Sequence, residues 1–266
     1  MKTRVCLAGA TGWAGSELAR AIAHTEDLAI VAAVSRTHAG GCLAEVLHDP
    51  RADAPIYGTA RDALTVPCDV FVEYTSPESA KANVREALER GVHVVIGTSG
   101  LTDADLTELD AIAKTHARGV LACGNFALTA VLMMRFAEMA AKVIPQWELI
   151  DYASDAKRDA PSGTVRELAT RLAKVRAPVV TVPRDETAGA RDARGATIAG
   201  SPVHSLRLPS YVISAEAIFG ADDQRLSIRH DSGNSAKPYV EGALLAIRRV
   251  HTLAGVHRGL DTILEL

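Results

Sequence analysis

The segment Val5-Cys6-Leu7-Ala8-Gly9-Ala10-Thr11-Gly12-Trp13-Ala14-Gly15 constrains this chain most: strand formers enter a glycine triplet, and the chain leaves it in a helix-forming run. Glycines at intervals of three have separate tasks in such a turn. Gly9 makes the tight turn, Gly12 lets the backbone approach a pyrophosphate, and Gly15 lets helix and strand pack closely. The phosphates would rest on free N–H groups at the helix N-terminus, with Thr11, Trp13 and Ala14 lining the loop. The bland alternative is a glycine-rich turn with no ligand. The strand before, the helix after and the position at residue 9 favour the nucleotide, so the chain is expected to open with a Rossmann dinucleotide-binding domain.

The pattern that follows supports an α/β class. Strands are expected at 4–8, 29–35, 70–74, 93–96 and 119–122, alternating with helices at 14–24, 77–90 and 102–115. Ser76 reads as an N-cap with Pro77 at the first helical position, and Gly91 closes that helix. After Asn125 the layout becomes α+β with a mostly open sheet. Helices are expected at 128–144 and 163–175, and strands at 147–152, 179–182, 205–208, 211–217 and 224–228. The stretch 184–200 reads as a mobile loop and 238–254 as a closing helix. The expected organisation is a dinucleotide domain over 1–126, with a C-terminal helix within 238–266 packing back on it, and a substrate-binding and oligomerisation domain over 127–237.

Composition narrows the function classes. The 29 basic and 32 acidic side chains are spread along the chain and leave a net charge of −3, with no basic block that would suit nucleic acid. No apolar run approaches the roughly 20 residues of a membrane span, and no secretory signal opens the chain, so a cytoplasmic setting is expected. The four cysteines, Cys6, Cys42, Cys68 and Cys123, form no CxxC pair and read as reduced thiols; no metal site is expected.

The second strand ends in Val34-Ser35-Arg36-Thr37-His38, without the acid that normally holds an adenosine 2′-hydroxyl. A carboxylate would repel a 2′-phosphate, whereas Ser35, Arg36 and Thr37 can donate to one. NADPH is therefore favoured over NADH; Arg36 stacked on adenine or lying in solvent is the plainer alternative.

At this point the chain resembles the dihydrodipicolinate reductase family over nearly its whole length. Asp69-Val70-Phe71-Val72-Glu73-Tyr74-Thr75-Ser76-Pro77 is similar to that family's strand and Thr-x-Pro turn beside the cofactor. Ile96-Gly97-Thr98-Ser99-Gly100 resembles its nicotinamide loop, and Gly124-Asn125-Phe126-Ala127 its Asn-Phe hinge. Lys157-Arg158-Asp159-Ala160-Pro161-Ser162-Gly163-Thr164 matches its Lys-x-Asp-Ala-Pro-Ser-Gly-Thr substrate loop. The resemblance implies a tetrameric NADPH-dependent reductase of a cyclic imino dicarboxylate in lysine synthesis. It implies cofactor contacts from the glycine loop, Ser35–Thr37, Tyr74, Thr75, Gly97, Thr98, Ser99, Gly124, Asn125 and Phe126. Substrate contacts would come from Ser154, Lys157, Ser162, Gly163 and Thr164. The residues support the last part independently, because Gly163-Thr164 opens a helix whose N–H groups can hold a carboxylate beside the Lys157 charge.

The glycine loop is similar to the family's except that Trp13 and Ala14 replace its usual Arg-Met, and the other departures lie in the second half. The family's His-His pair, whose first member is the proton donor, is replaced by Ala153 and Ser154. Its Arg-Gly-Gly motif survives only as Arg207, the His that usually follows is replaced near Ala215, and an Arg expected after His230 is Ser235. Lys157 is then the leading catalytic group, as proton donor or as a purely electrostatic clamp, with Tyr152 and Asp155 as substitutes; the substrate is either the family's or a diverged cyclic imine or ketone. Two other readings are a non-catalytic NADPH-binding sensor or assembly protein, and a semialdehyde-dehydrogenase-like enzyme using Cys123. A short-chain dehydrogenase is excluded, because Tyr152 and Lys157 are five apart rather than one helical turn.

Overall fold

The computed structural model describes residues 2–264 and resolves into two compact units, one running to Leu128 and resuming at Ala236, the other spanning Thr129–Ser235.

The first unit is built in the order β1 (Thr3–Ala8), α1 (Trp13–Ala23), β2 (Leu28–Val34), α2 (Leu43–Leu47), β3 (Ile56–Tyr57), α3 (Ala60–Ala63), β4 (Val70–Glu73), α4 (Pro77–Glu89), β5 (His93–Ile96), α5 (Asp103–Thr115) and β6 (Gly119–Ala122). Its strands are short Val/Ile/Leu/Ala runs buried on both faces, as a helix-covered parallel sheet requires. Phe71, Leu88, Val94, Leu109 and Val120 form the core on one side of it. The sheet runs β3-β2-β1-β4-β5-β6 and all of these pairs are parallel. From β1 the chain builds outward through β2 and β3, then crosses back to place β4 on the other side of β1. That reversal opens a crevice at the carboxyl ends of β1 and β4, the place where such sheets bind ligands. Thr102 caps α5 in a reciprocal box with Asp105. Ser76 precedes α4 but is not a side-chain cap: its hydroxyl meets Ser79 Oγ at 3.2 Å instead of a backbone N–H.

The second unit holds α6 (Leu128–Val143), β7 (Gln146–Ala153), α7 (Gly163–Val175), β8 (Ala196–Ile198), β9 (Ser201–Arg207), β10 (Ile213–Ala221) and β11 (Gln224–Ser232). The sheet order is β11-β10-β7-β9-β8, antiparallel except for β7 with β9. Trp147, Leu149, Val203, Ala217 and Phe219 face a core shared with Met133 of α6 and Leu168 of α7. Two expectations fail here. Residues 179–182 form no strand: Pro178 and Pro183 frame them, and Val179 N donates to Pro145 O at 2.7 Å outside any ladder. The expected loop 184–200 carries two 3₁₀ turns and β8, which turns into β9 through Ala199 and Gly200, both at positive φ.

The chain closes back in the first unit. The expected helix over 238–254 is shorter, α8 (Val240–Arg249), and is followed by a fresh strand, β12 (Gly255–Arg258), parallel to β6 at the sheet edge. Gly255 permits this change at φ +78°, where a side chain would meet Asp110 and Lys114. Arg248 of α8 grips Asp27 through two bonds of 2.7 and 3.0 Å.

Candidate functional site

The crevice of the first unit is shaped by what its glycines leave out. At Gly9, φ is +79° and a Cβ would collide with the Tyr74 carbonyl of the loop after β4. At Gly15 a Cβ would collide with the Gly9 carbonyl. At Gly12 the nearest atom would lie 3.2 Å away, so packing alone demands glycine less there and the space faces outward for a ligand. Gly12 is the N-cap of α1 and brings no side-chain acceptor, which leaves first-turn N–H groups for an anion. Trp13 is 61% exposed, with its ring edge-on to Tyr239 at 5.9 Å; Ala14 follows it in the first turn. A cradle of this form fits a dinucleotide pyrophosphate.

At the end of β2, Ser35 is buried. Its hydroxyl shares hydrogen bonds with Thr11 Oγ1 (2.8 Å), Thr37 Oγ1 (3.3 Å) and His38 Nδ1 (3.4 Å), while Thr37 and His38 meet at 2.9 Å. Arg36 is exposed beside this cluster. No carboxylate belongs to these bonds. His38 joins these hydrogen bonds although the sequence reading did not single it out; its place three residues past Ser35 was the available signal.

Across the crevice, the loops after β4 and β5 are knit together by Glu73, which is fully buried. Its side chain accepts from Thr75 N (2.8 Å), the Thr75 hydroxyl, Thr98 Oγ1 (3.3 Å) and Asn83 Nδ2 of α4 (2.9 Å). Its carbonyl accepts from Gly97 N and Thr98 N at 3.0 and 3.2 Å. Tyr74 lies flat enough against Gly97 that any Cβ there would strike its ring, and it packs on Phe126 at 5.8 Å between centroids. Burial drives the Tyr74 phenol strongly upward, and its OH has no partner among the described residues. Ser99 follows Thr98 in the same loop. Asn125, between Gly124 and Phe126, accepts from Ala127 N at 2.8 Å and so shapes the turn after β6. Glu73 was quoted in the sequence motif but not singled out.

In the second unit, the loop between β7 and α7 is held by charge. Asp151 is fully buried, and its Oδ2 accepts from Ser162 N (2.9 Å), Ser205 Oγ (3.2 Å) and Arg207 Nη2 (2.6 Å). Arg207 Nη2 also donates to Asp159 O at 2.7 Å, so one guanidinium ties strand β9 to the loop. Lys157 Nζ lies 2.7 Å from Asp159 Oδ1, and this pairing holds the Asp159 carboxyl below its usual range. Ser162 caps α7 with its hydroxyl 3.5 Å from Val165 N. Gly163 and Thr164 form the first turn of α7, and nothing lies closer than 3.9 Å to a Cβ placed on Gly163. Ser154 Oγ donates to Asp155 Oδ1 (3.1 Å) and accepts from Ala156 N (3.3 Å); Ser154 O accepts from Lys157 N (3.0 Å). The five expected substrate contacts thus belong to one loop-and-helix junction, though Lys157 and Ser154 already have partners within it.

Of the alternative acids, Asp155 stays in this loop as the acceptor of the Ser154 hydroxyl, and Tyr152 lies elsewhere. Tyr152 alternates with Asp151 along β7 and faces the opposite side of the sheet, where its OH donates to Glu216 Oε2 (2.8 Å) beneath the Arg229 guanidinium. Burial, with the Glu216 carboxylate, pushes that phenol up to about 12. His230 is buried and bonded to Thr129 Oγ1 (2.9 Å); His204 Nε2 lies 2.7 Å from Glu148. Cys123 is buried just past β6 and does not open a helix, which removes the basis for a thiol nucleophile. Among the described residues no cluster suits a metal ion, and no helix is long and apolar enough to cross a membrane.

Comparison with known proteins agrees with this geometry. The family profile "Dihydrodipicolinate reductase, N-terminus" matches residues 3–126, and "Dihydrodipicolinate reductase, C-terminus" matches residues 129–264. A 4-hydroxy-tetrahydrodipicolinate reductase of Geobacillus thermodenitrificans is 40% identical over 266 residues, covering 100% of both chains. One from Bacillus pumilus is 39% identical over 264 residues, 98% of each. A dipicolinate-bound dihydrodipicolinate reductase from Paenisporosarcina superposes with a TM-score of 0.89 at 32% identity, covering 99% of this chain and 100% of that one. An amine dehydrogenase of Mycobacterium smegmatis, 14% identical with a TM-score of 0.68 over 98% and 96% of the two chains, shares the fold. With both halves matched in full-length register, this chain belongs to the dihydrodipicolinate reductase family and is an NAD(P)H-dependent oxidoreductase.

Proposed function

We propose that the chain reduces 4-hydroxy-tetrahydrodipicolinate, a cyclic imino dicarboxylate, with NADPH as hydride source, in the route to diaminopimelate and lysine. The observation that carries this reading is the junction of β7 and α7. There a helix N-terminus capped by Ser162 and a lysine paired with a loop aspartate form an anion site. Gly163 and Thr164 would hold one substrate carboxylate on first-turn N–H groups. Lys157 exchanges Asp159 for the substrate and neutralises the charge that builds up as hydride reaches the C=N carbon. Ala153 brings no titratable group, so the proton comes from Lys157 or from solvent that Lys157 orients. The bound nicotinamide supplies the hydride. The crevice residues of the first unit bind and orient its carrier: the glycine loop holds the pyrophosphate, and Arg36 with Thr37 and His38 meets the 2′-phosphate. The lack of an acid at the end of β2, in Ser35-Arg36-Thr37-His38, supports NADPH over NADH.

A diverged, less acidic cyclic imine is the second reading, favoured by Ala153 and Ser154 standing where the family has two histidines. We place the enzyme in the cytoplasm, in keeping with four free thiols. We also infer a homotetramer assembled through the uncovered face of the second sheet, where Ile150, Ile218 and the 37%-exposed Leu206 sit beside Glu216 and Arg229. Titration with pyridine-2,6-dicarboxylate tests the substrate class. Saturable binding that Lys157→Ala abolishes, with turnover reduced roughly 100- to 1000-fold and NADPH affinity within about twofold of wild type, supports the reading. Equal loss of dicarboxylate and nucleotide affinity in that variant would contradict it, and binding only of monocarboxylate imines would favour the diverged substrate.

A further inference from the structure

We propose that Glu73 is a fixed negative charge that favours the oxidised, cationic nicotinamide over the reduced, neutral one, and so promotes hydride release. The inference rests on the nucleotide reading above and adds a role to a residue outside the expected contacts. Three observations carry it.

The first is place. Glu73 ends β4, beside the crevice where the strand order reverses. The adenosine end is directed to β2, so the nicotinamide end falls on the β4–β5 side, over the loops that Glu73 ties together. The second is the kind of partner it has. Thr75 N, the Thr75 and Thr98 hydroxyls and Asn83 Nδ2 are all neutral donors, and among the described residues no cation pairs with Glu73. A carboxylate satisfied by dipoles keeps its full charge directed at its surroundings, whereas an ion pair would cancel it. Being fully buried, it is also screened little by salt.

The third is that the hydrogen bonds alone do not require an acid. A glutamine would accept from Thr75 and Thr98 with its oxygen, and the Asn83 amide would turn to accept from its NH₂. Burying a carboxylate instead carries a desolvation cost that loop shape does not explain. Hydride transfer breaks a C–H bond of the dihydropyridine ring and forms one at the substrate's C=N carbon. The ring gains a positive charge, and the substrate nitrogen takes a proton. A charge fixed before the reaction lowers the energy of that cationic product, and charges placed near a cofactor ring are a general means of tuning it.

The test is the ratio of dissociation constants for NADP⁺ and NADPH, measured by fluorescence titration of the full-length protein without substrate. In Glu73→Gln the ratio is expected to rise roughly tenfold, the size of effect one unit charge exerts at effective protein dielectric, while NADPH binding changes little. Glu73→Asp keeps the charge but withdraws it by one methylene, and a rise of less than about twofold is expected. Should the glutamine variant not fold, the aspartate variant carries the test. Parallel weakening of both nucleotides with the ratio unchanged would overturn the inference and leave Glu73 as a loop tie. Failure of the wild type to bind either nucleotide would instead sink the functional reading itself.

Discussion

The two units organise their loops by different physics. In the first, the crevice is made by close approach: glycines admit backbone against backbone, and the only charge in the knot, Glu73, is answered by neutral donors. In the second, the loop is pinned by charged groups: the Asp151 carboxylate holds the Arg207 guanidinium, which also donates to the Asp159 backbone carbonyl, and the Asp159 carboxylate pairs with Lys157. A steric frame tolerates almost no side-chain change. An ionic frame keeps its shape while neighbouring contact residues vary, provided its charges stay matched. That contrast accounts for glycines and a nicotinamide loop that keep the family pattern, beside a second unit where Ala153 at the end of β7 and Ser154 just after it have replaced histidines.

The largest expected effect breaks the ionic frame. Arg207→Ala strands the fully buried Asp151 carboxylate, and removing one partner of such a pair costs about 3–5 kcal/mol. Urea unfolding should show that loss, with substrate KM raised and nucleotide affinity retained. A cost below about 1 kcal/mol would mean that solvent already shares the pair. Next comes the steric frame. Gly15→Ala forces a Cβ onto the Gly9 carbonyl, at a cost of about 1–3 kcal/mol for overpacking. Thermal melts should fall and nucleotide affinity with them, while dicarboxylate binding persists; unaltered nucleotide binding would show the loop to be plastic.

Arg36→Ala sharpens the comparison within the first unit. It should weaken NADPH about tenfold, the worth of one charged phosphate contact, and leave NADH within about twofold; equal losses would place Arg36 on the adenine. The smallest effect is in pH. Burial depresses the pKa of His230, so the folded second unit holds it neutral. As pH falls below the ordinary imidazole value toward the depressed one, the unfolded chain takes up a proton that the folded chain refuses, and stability is lost. His230→Gln should flatten the second unit's share of that decline and leave the share due to His93 of the first unit, also depressed by burial. Identical pH profiles would remove His230 from the account.

The parallel sheet and the glycine loop were legible because their signals are local: a strand, a turn and a helix follow one another within residues 3–23. β12 was not, since Gly255–Arg258 follows a helical pattern and owes its strand geometry to β6, more than a hundred residues away in the chain. Residues 179–182 misled in the other direction, because valines favour a strand but the flanking prolines cannot extend a ladder. At the sites, contact residues clustered in motifs could be found, whereas the residues that hold them could not. Glu73 reaches Asn83 and Thr98 over separations of 10 and 25 residues, and Asp151 reaches Arg207 over 56. Nothing in a polar residue at a strand end announces such partners. Tyr152 illustrates the reverse: adjacent in sequence to the loop, it points to the other face of the sheet.

The most direct test of the account is a turnover assay in which 4-hydroxy-tetrahydrodipicolinate is generated in place and oxidation of the reduced nucleotide is followed. Steady consumption of NADPH, faster than that of NADH and inhibited by pyridine-2,6-dicarboxylate, is the predicted result. Saturable NADPH binding with no consumption above the substrate-free rate would contradict it.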